Sequence, residues 1–185
     1  MGYKTLEHYH VGNGTQSGET GSDPTDGSLI GKIYREERRD TNNTTVAEVY
    51  TDWSASDLGN NRDLVVATRE VSDIDGQKTA QEWNYNISTG NLTSAINYGK
   101  VVASANTFSD TGNDKQTTNY TYTTSGPILP ATEEILDQSS NRIRQSRMYY
   151  DAQSLGTATL GNLTKAESWV TGSSYINTQN TYTSK

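Results

Sequence analysis

Cysteine is absent from the 185 residues, and there are only three Pro, two His, two Met and a single Phe, Phe108. Without cysteine there is neither a disulfide framework nor a thiolate metal site. Two histidines, His8 and His10, leave little room for imidazole catalysis or a His-rich metal centre. Aliphatic residues are scarce as well. Leu, Ile, Val and Phe together make up about 16% of the chain, below the roughly 20% under which a highly charged chain reads as disordered. Nothing approaches eighteen apolar residues in a row, so no helical membrane span is expected. Positive charge is in deficit: 15 Lys and Arg against 22 Asp and Glu give a net charge of -7. The resulting pI near 4.8 argues against nucleic acid as the main partner, which would call for a basic footprint. Met1-Gly2-Tyr3-Lys4-Thr5 has no basic segment leading into an apolar one, the pattern of a signal peptide.

What the chain does have is 12 Tyr, 3 Trp and a large excess of Thr. Such residues suit pleated, half-exposed surfaces. Combined with a modest net charge, they describe an extended polar β-structure rather than a disordered chain, a helical bundle or a large closed core. The length corresponds to about one domain.

Tyrosine-centred clusters recur along the chain: Val49-Tyr50-Thr51-Asp52-Trp53, Trp83-Asn84-Tyr85-Asn86, Asn119-Tyr120-Thr121-Tyr122-Thr123, Met148-Tyr149-Tyr150-Asp151 and Asn180-Thr181-Tyr182-Thr183. From Tyr50 through Tyr85, Tyr122 and Tyr150 to Tyr182 the steps are 35, 37, 28 and 32 residues. A tetrapeptide occurs twice, each time a short distance after a cluster: Gly90-Asn91-Leu92-Thr93 and Gly161-Asn162-Leu163-Thr164. Spacing of this order is the mark of stacked supersecondary units.

Local signals within the units are for hairpins. Leu64 to Val71, the turn Asp73-Ile74-Asp75-Gly76, and Gln77 to Tyr85 predict one. Ala131 to Asp137, the polar turn Gln138-Ser139-Ser140-Asn141, and Arg142 to Tyr150 predict a second, although Glu133-Glu134-Ile135-Leu136 is also compatible with a helical turn. Tyr85-Asn86-Ile87 turning at Ser88-Thr89-Gly90 into Leu92 to Tyr98 is a third. Leu163 to Val170 turning at Thr171-Gly172-Ser173 into Ser174 to Tyr182 is a fourth. Residues 1–30 read as a loop-rich segment, with Gly12-Asn13-Gly14 and the Gly/Ser/Asp/Thr-rich stretch Gly18 to Gly27, and strand is expected to resume at Leu29 or Ile33. Residues 31–185 form the hairpin region. Helix start signals are nearly absent.

These residues resemble the rearrangement-hotspot (RHS) or YD-repeat proteins. Tyr150-Asp151 with Gly161-Asn162-Leu163-Thr164-Lys165 is most similar to the repeat, although Gln153 to Leu160 lengthens the connection. Tyr85-Asn86 with Gly90-Asn91-Leu92-Thr93 carries Asn in place of Asp, and Tyr122-Thr123 with Gly126 keeps only the Tyr and the Gly. His8-Tyr9-His10-Val11-Gly12 and Gly31-Lys32-Ile33-Tyr34-Arg35-Glu36-Glu37 look like a segment that precedes the repeats in large RHS proteins, including shell components of insecticidal toxin complexes. The resemblance implies an all-β fold: consecutive antiparallel β-hairpins in a spiral repeat sheet, with little or no helix. It implies a bacterial, secreted or cell-surface structural protein whose shell encapsulates or displays a toxin or effector domain. The partners implied are the remainder of the repeat shell and an enclosed C-terminal effector. On this reading the chain is a piece of a larger protein, for 185 residues cannot close a chamber and no autoproteolytic segment or toxin domain is recognisable.

Chemistry is sparse. His8 and His10 share a face in a strand, which permits a two-His metal site completed by Glu7 or Glu19, but surface or hairpin-packing histidines are favoured by ligand count. A Ser-His-Asp triad would need a His held by a buried carboxylate. Asp110-Thr111-Gly112-Asn113-Asp114 carries oxygen ligands without the spacing of a calcium loop, and like Asp73 and Asp75 it reads as a turn. Glu133 and Glu134 face opposite sides in a strand, unlike paired acid/base carboxylates. Glu36-Glu37-Arg38-Arg39-Asp40 reads as a solvated, internally paired charge cluster. Arg142, Arg144 and Arg147 read as guards of a strand edge. Trp53, Trp83 and Trp169 suggest packing between hairpins, with glycan binding by a cell-surface adhesin or carbohydrate-binding module as the alternative. The expectation is a structural protein, not an enzyme, without catalytic, cofactor-binding or metal residues.

Overall fold

The computed structural model describes residues 2–10, 28–60 and 62–182. The described chain is all β, with twelve strands and no helix. Every pairing between these strands for which a register is given is antiparallel. The consecutive-hairpin architecture expected from the sequence is therefore the architecture observed. The segment Glu133-Glu134-Ile135-Leu136 is strand, and the helical alternative for it is not adopted. No described helix is long and apolar enough to cross a membrane.

The chain divides into two compact units, Met1–Leu92 with Ile96–Lys115, and Thr93–Ala95 with Gln116–Lys185. In the first, β1 (Lys4–Tyr9), β2 (Ile33–Arg39), β3 (Thr45–Asp57), β4 (Asp63–Ile74) and β5 (Gln77–Tyr85) pair in chain order. Strand β6 (Leu92–Ser104) is followed by β7 (Thr107–Asp110), which pairs back onto it. Within the stretch read as loop-rich, Lys4–Tyr9 forms β1, whereas residues 11–27 lie outside those described. The Asp75-Gly76 turn forms as expected: Ile74 opposes Gln77, and both turn residues have positive φ, 51° and 78°. That conformation matches the twist of the flanking strands and favours Asp-Gly.

A small apolar cluster stabilises this unit. Val71 of β4, Ala80 of β5 and Val101 of β6 are buried, with Tyr98, Ala103 and Phe108 packed against them. Tyr98 and Phe108 meet edge to face at 4.7 Å. Two polar contacts fasten the β6–β7 hairpin to β5 and β3: Lys78 Nζ donates to Ala103 O at 2.8 Å, and Asn106 Nδ2 to Asp52 Oδ1 at 2.9 Å.

In the second unit β8 (Gln116–Tyr122), β9 (Pro130–Leu136), β10 (Arg142–Tyr150), β11 (Leu163–Thr171) and β12 (Ser174–Gln179) again pair in chain order. Its buried residues among those described are few: Ala131, Ala158 and Tyr150, joined by Thr123 and Gln145. The scarcity of aliphatic residues is thus matched by the scarcity of core, and the strands rely on ladder hydrogen bonds and cross-strand pairs.

Candidate functional site

The tyrosine clusters resolve into a repeated structural device. Tyr85, Tyr122 and Tyr150 are each the last residue of a strand, β5, β8 and β10. In each case the next residue closes the connection with its backbone N–H: Asn86 donates to Asn91 O at 2.8 Å, Thr123 to Leu129 O at 2.9 Å and Asp151 to Asn162 O at 2.8 Å. The acceptor immediately precedes the next strand every time, at Leu92, Pro130 and Leu163. The side chain after the tyrosine then accepts backbone N–H groups of its own loop, as short polar side chains do in turns. Asn86 Oδ1 takes one from Thr89 at 3.2 Å, and Thr123 Oγ1 one from Leu129 at 2.9 Å. Asp151 takes four: Thr159, Leu160 and Gly161 at Oδ2, and Asn162 at Oδ1, all at 2.8–3.0 Å. The amides of Gly161, Thr159, Leu160 and Asn162 hold its carboxyl far below the usual aspartate range. Tyr150 is itself buried and donates its hydroxyl to Pro130 O at 2.8 Å. Tyr50 and Tyr182 depart from the series: Tyr50 lies in the middle of β3, and Tyr182 lies beyond the last strand, Ser174–Gln179.

A second notable group lies across β1, β2 and β3. His8, Arg35 and Tyr50 stand in one cross-strand row, and Leu6, Glu37 and Glu48 in the next. Glu37 is only 1% exposed. Its carboxylate receives Arg39 Nε and Nη2 at 2.9 and 2.7 Å, lies 3.0 Å from Arg35 Nη2, and lies 3.0 Å from His8 Nε2. Burial pushes the Glu37 carboxyl up, but the Arg39 hydrogen bonds, the charges of Arg35 and Arg39 and the His8 contact together leave it below the usual glutamate range. An ionised carboxylate so fully engaged is suited to holding strands together and not to delivering a proton.

The reading of residues 36–40 as a solvated cluster therefore needs correction. Strand alternation turns Glu37 inward with Arg35 and Arg39, while Glu36 and Arg38 stay exposed. Glu37 and Arg39 do pair internally, as expected. On β4, β5 and β6, Arg69 bonds Glu82 through Nε and Nη2 at 3.0 and 2.7 Å, and Tyr98 donates to the same carboxylate at 2.7 Å. Burial and that hydrogen bond push the Tyr98 phenol up to about 12.

The remaining candidates are distributed, not assembled. His10 is buried with its ring 5.2 Å from that of Tyr34, and the His8 ring lies 6.1 Å from the same tyrosine, but His8 is engaged with Glu37 and no third ligand among the described residues joins them. Glu19 lies outside the described residues. Among the described residues no three His, Asp or Glu side chains are grouped as a metal would need. Asp73 and Asp110 each accept a turn amide, from Gly76 and Gly112, and Asp114 accepts Lys100 N–H at 3.1 Å.

Glu133 and Glu134 face opposite sides, toward Arg144 and Arg142 respectively. The three arginines do not guard an edge: β10 is paired on both sides, and its guanidiniums serve cross-strand contacts. Arg142 lies 5.7 Å from the Trp169 ring and Arg147 4.1 Å from the Tyr175 ring. Trp53 likewise carries Lys32 over its ring at 5.1 Å and donates Nε1–H to Ile33 O at 2.8 Å. Sequence reasoning missed this alternation of cations and aromatic rings because these partners, 21 to 28 residues apart in the chain, meet only through strand pairing, and no short motif records it.

Fold and site together define an all-β protein of successive antiparallel hairpins closed by a Tyr–polar dipeptide. Compared with known proteins, the chain matches no family model and no curated protein.

Proposed function

We propose that this chain is a section of the wall of an RHS/YD-repeat shell, which encapsulates or displays a toxin or effector domain carried elsewhere in a longer, secreted or cell-surface protein. The observation that carries the reading is the threefold recurrence of one closure, Tyr85-Asn86, Tyr122-Thr123 and Tyr150-Asp151, each at the same point of its hairpin. A wall made this way needs few buried aliphatic residues per unit, because each hairpin packs on its neighbours. The role is mechanical, with no catalytic step assigned to any residue. The alternative, an adhesin or carbohydrate-binding module that grips sugars on its tryptophans, draws less support, since Lys32 and Arg142 already lie over the rings of Trp53 and Trp169.

An antiserum against the chain, applied to extracts and secretions of the source cells, tests the proposal. The expected result is a polypeptide many times larger than 20.3 kDa, forming hollow particles in electron micrographs. A sole band at the size of the chain overturns it.

A further inference from the structure

The connection from Asp151 to Asn162 is the longest described one in the second unit. Long ordered connections without secondary structure of their own are uncommon in compact β-structure, and binding residues are concentrated on such loops. This one is firmly held. Besides the four amides on Asp151, Gln153 N–H donates to Tyr150 O at 2.9 Å, Ala152 N–H to Thr164 Oγ1 at 2.8 Å, and Thr157 bridges to Ser125. Asp151 and Ala152 are consecutive residues with Cβ atoms at φ 54° and 57°, a sparsely populated conformation that collects at ligand clamps.

Beside Ala152 opens a cleft of about 540 Å³, within the range of small-molecule sites. Its floor is the cross-strand row Tyr149–Lys165–Gln179, directly opposed on β10, β11 and β12. Gln153 and Asn180 stand among its other lining residues.

Beside the hydroxyls of Ser154 and Thr164, three of the lining side chains, Gln153, Gln179 and Asn180, are carboxamides with capacity to spare. The side chain of Gln179 bonds to no described residue. Asn180 spends its Nδ2 on Leu163 O at 3.1 Å, and Gln153 spends its Nε2 on Thr159 Oγ1, which leaves both side-chain oxygens as acceptors. Among the described residues the one charge in the lining is already satisfied: Lys165 Nζ lies 2.9 Å from Glu167 Oε1 and 3.7 Å from the Tyr149 ring centroid. Donors and acceptors on short amides, beside a tyrosine and without net charge, suit vicinal hydroxyl groups, each of which gives one hydrogen bond and takes others. The Tyr149 ring borders the cleft without serving as a stacking platform, since Lys165 lies over it and its hydroxyl is donated to Glu167 at 2.8 Å.

We propose that the Tyr149–Lys165–Gln179 cleft binds a neutral mono- or disaccharide. The site lies apart from the tryptophans and holds whether the chain is a shell wall or an isolated module, so its test and that of the shell reading fail independently.

Isotope-labelled chain is titrated with glucose, galactose, N-acetylglucosamine, lactose and cellobiose, and with glucuronic acid as the charged comparison, while backbone amide resonances are followed. The expected result is saturable shifts at Ala152, Ser154, Lys165 and Gln179 for at least one neutral sugar, weakened about tenfold in Gln179→Ala. That variant keeps the fold because the Gln179 side chain bonds to nothing described. No shift at these amides at saturating millimolar sugar, unchanged affinity in Gln179→Ala, or preference for glucuronic acid each overturns the assignment.

Discussion

Asp151 spends both carboxylate oxygens on backbone amides, and Glu37 spends both on arginines; each residue does for its neighbourhood what an apolar core would do elsewhere. The Asp151 carboxyl is held below its ordinary value, so its contribution to stability is complete above the ordinary aspartate pKa of about 3.9 and is lost as pH falls through the lower folded value. Asp151→Asn should therefore flatten the acid limb of melting temperature against pH. Asp151→Ala should in addition speed hydrogen exchange at Thr159, Leu160, Gly161 and Asn162. Unchanged exchange at those four amides would show that the loop stands without the carboxylate. Glu37→Gln removes the charge that Arg35 and Arg39 face, and we expect a loss of about 2–3 kcal/mol at neutral pH in urea unfolding. Partial solvent access of the two arginines, 27% and 28% exposed, keeps the cost below that of a wholly buried pair.

At the scale of elements, hairpins were legible where turn chemistry is local. Asp75-Gly76 and the polar loop from Asp137 to Asn141 announce themselves, because their residues meet the turn's own dihedral and hydrogen-bond needs. The β6–β7 turn at Ala105-Asn106 does not. Ala105 is held at φ 52° by the flanking ladder and by Thr107 Oγ1 donating to Ser104 O at 2.8 Å, not by any preference of alanine. Gly126 shows the same dependence on distant chain. With φ 71° and a Cβ position 2.2 Å from Ala158 O, it allows two loops of the second unit to meet. Gly126→Ala should cost at least the roughly 1–3 kcal/mol of a strained backbone, and a lower urea midpoint without a change of slope would register it. The arginines of β10 teach a similar lesson. Their spacing is visible in the sequence, but whether a strand is an edge or an interior one is settled by what pairs with it.

For the molecule as a whole, charge is spread unevenly. From Ser168 to Ser184 no residue is charged, and β12, which among the described residues pairs only with β11, exposes Ile176. A strand without Lys, Pro or inward charge is a template for further pairing. We expect the chain to associate with rising concentration in sedimentation velocity, and Ile176→Lys to reduce that association; a monomer at all concentrations would refute it. By itself the sequence determined the class of structure and the positions of most turns, because composition and short-range turn chemistry are properties of neighbouring residues. Tertiary structure decided which tyrosines close hairpins, which acid is buried in the run from Glu36 to Asp40, and which cation covers which aromatic ring. Those outcomes depend on register: with a side-chain period of two, a slip of one residue exchanges the faces of a strand, and strands polar on both sides carry little pattern to say which face is which.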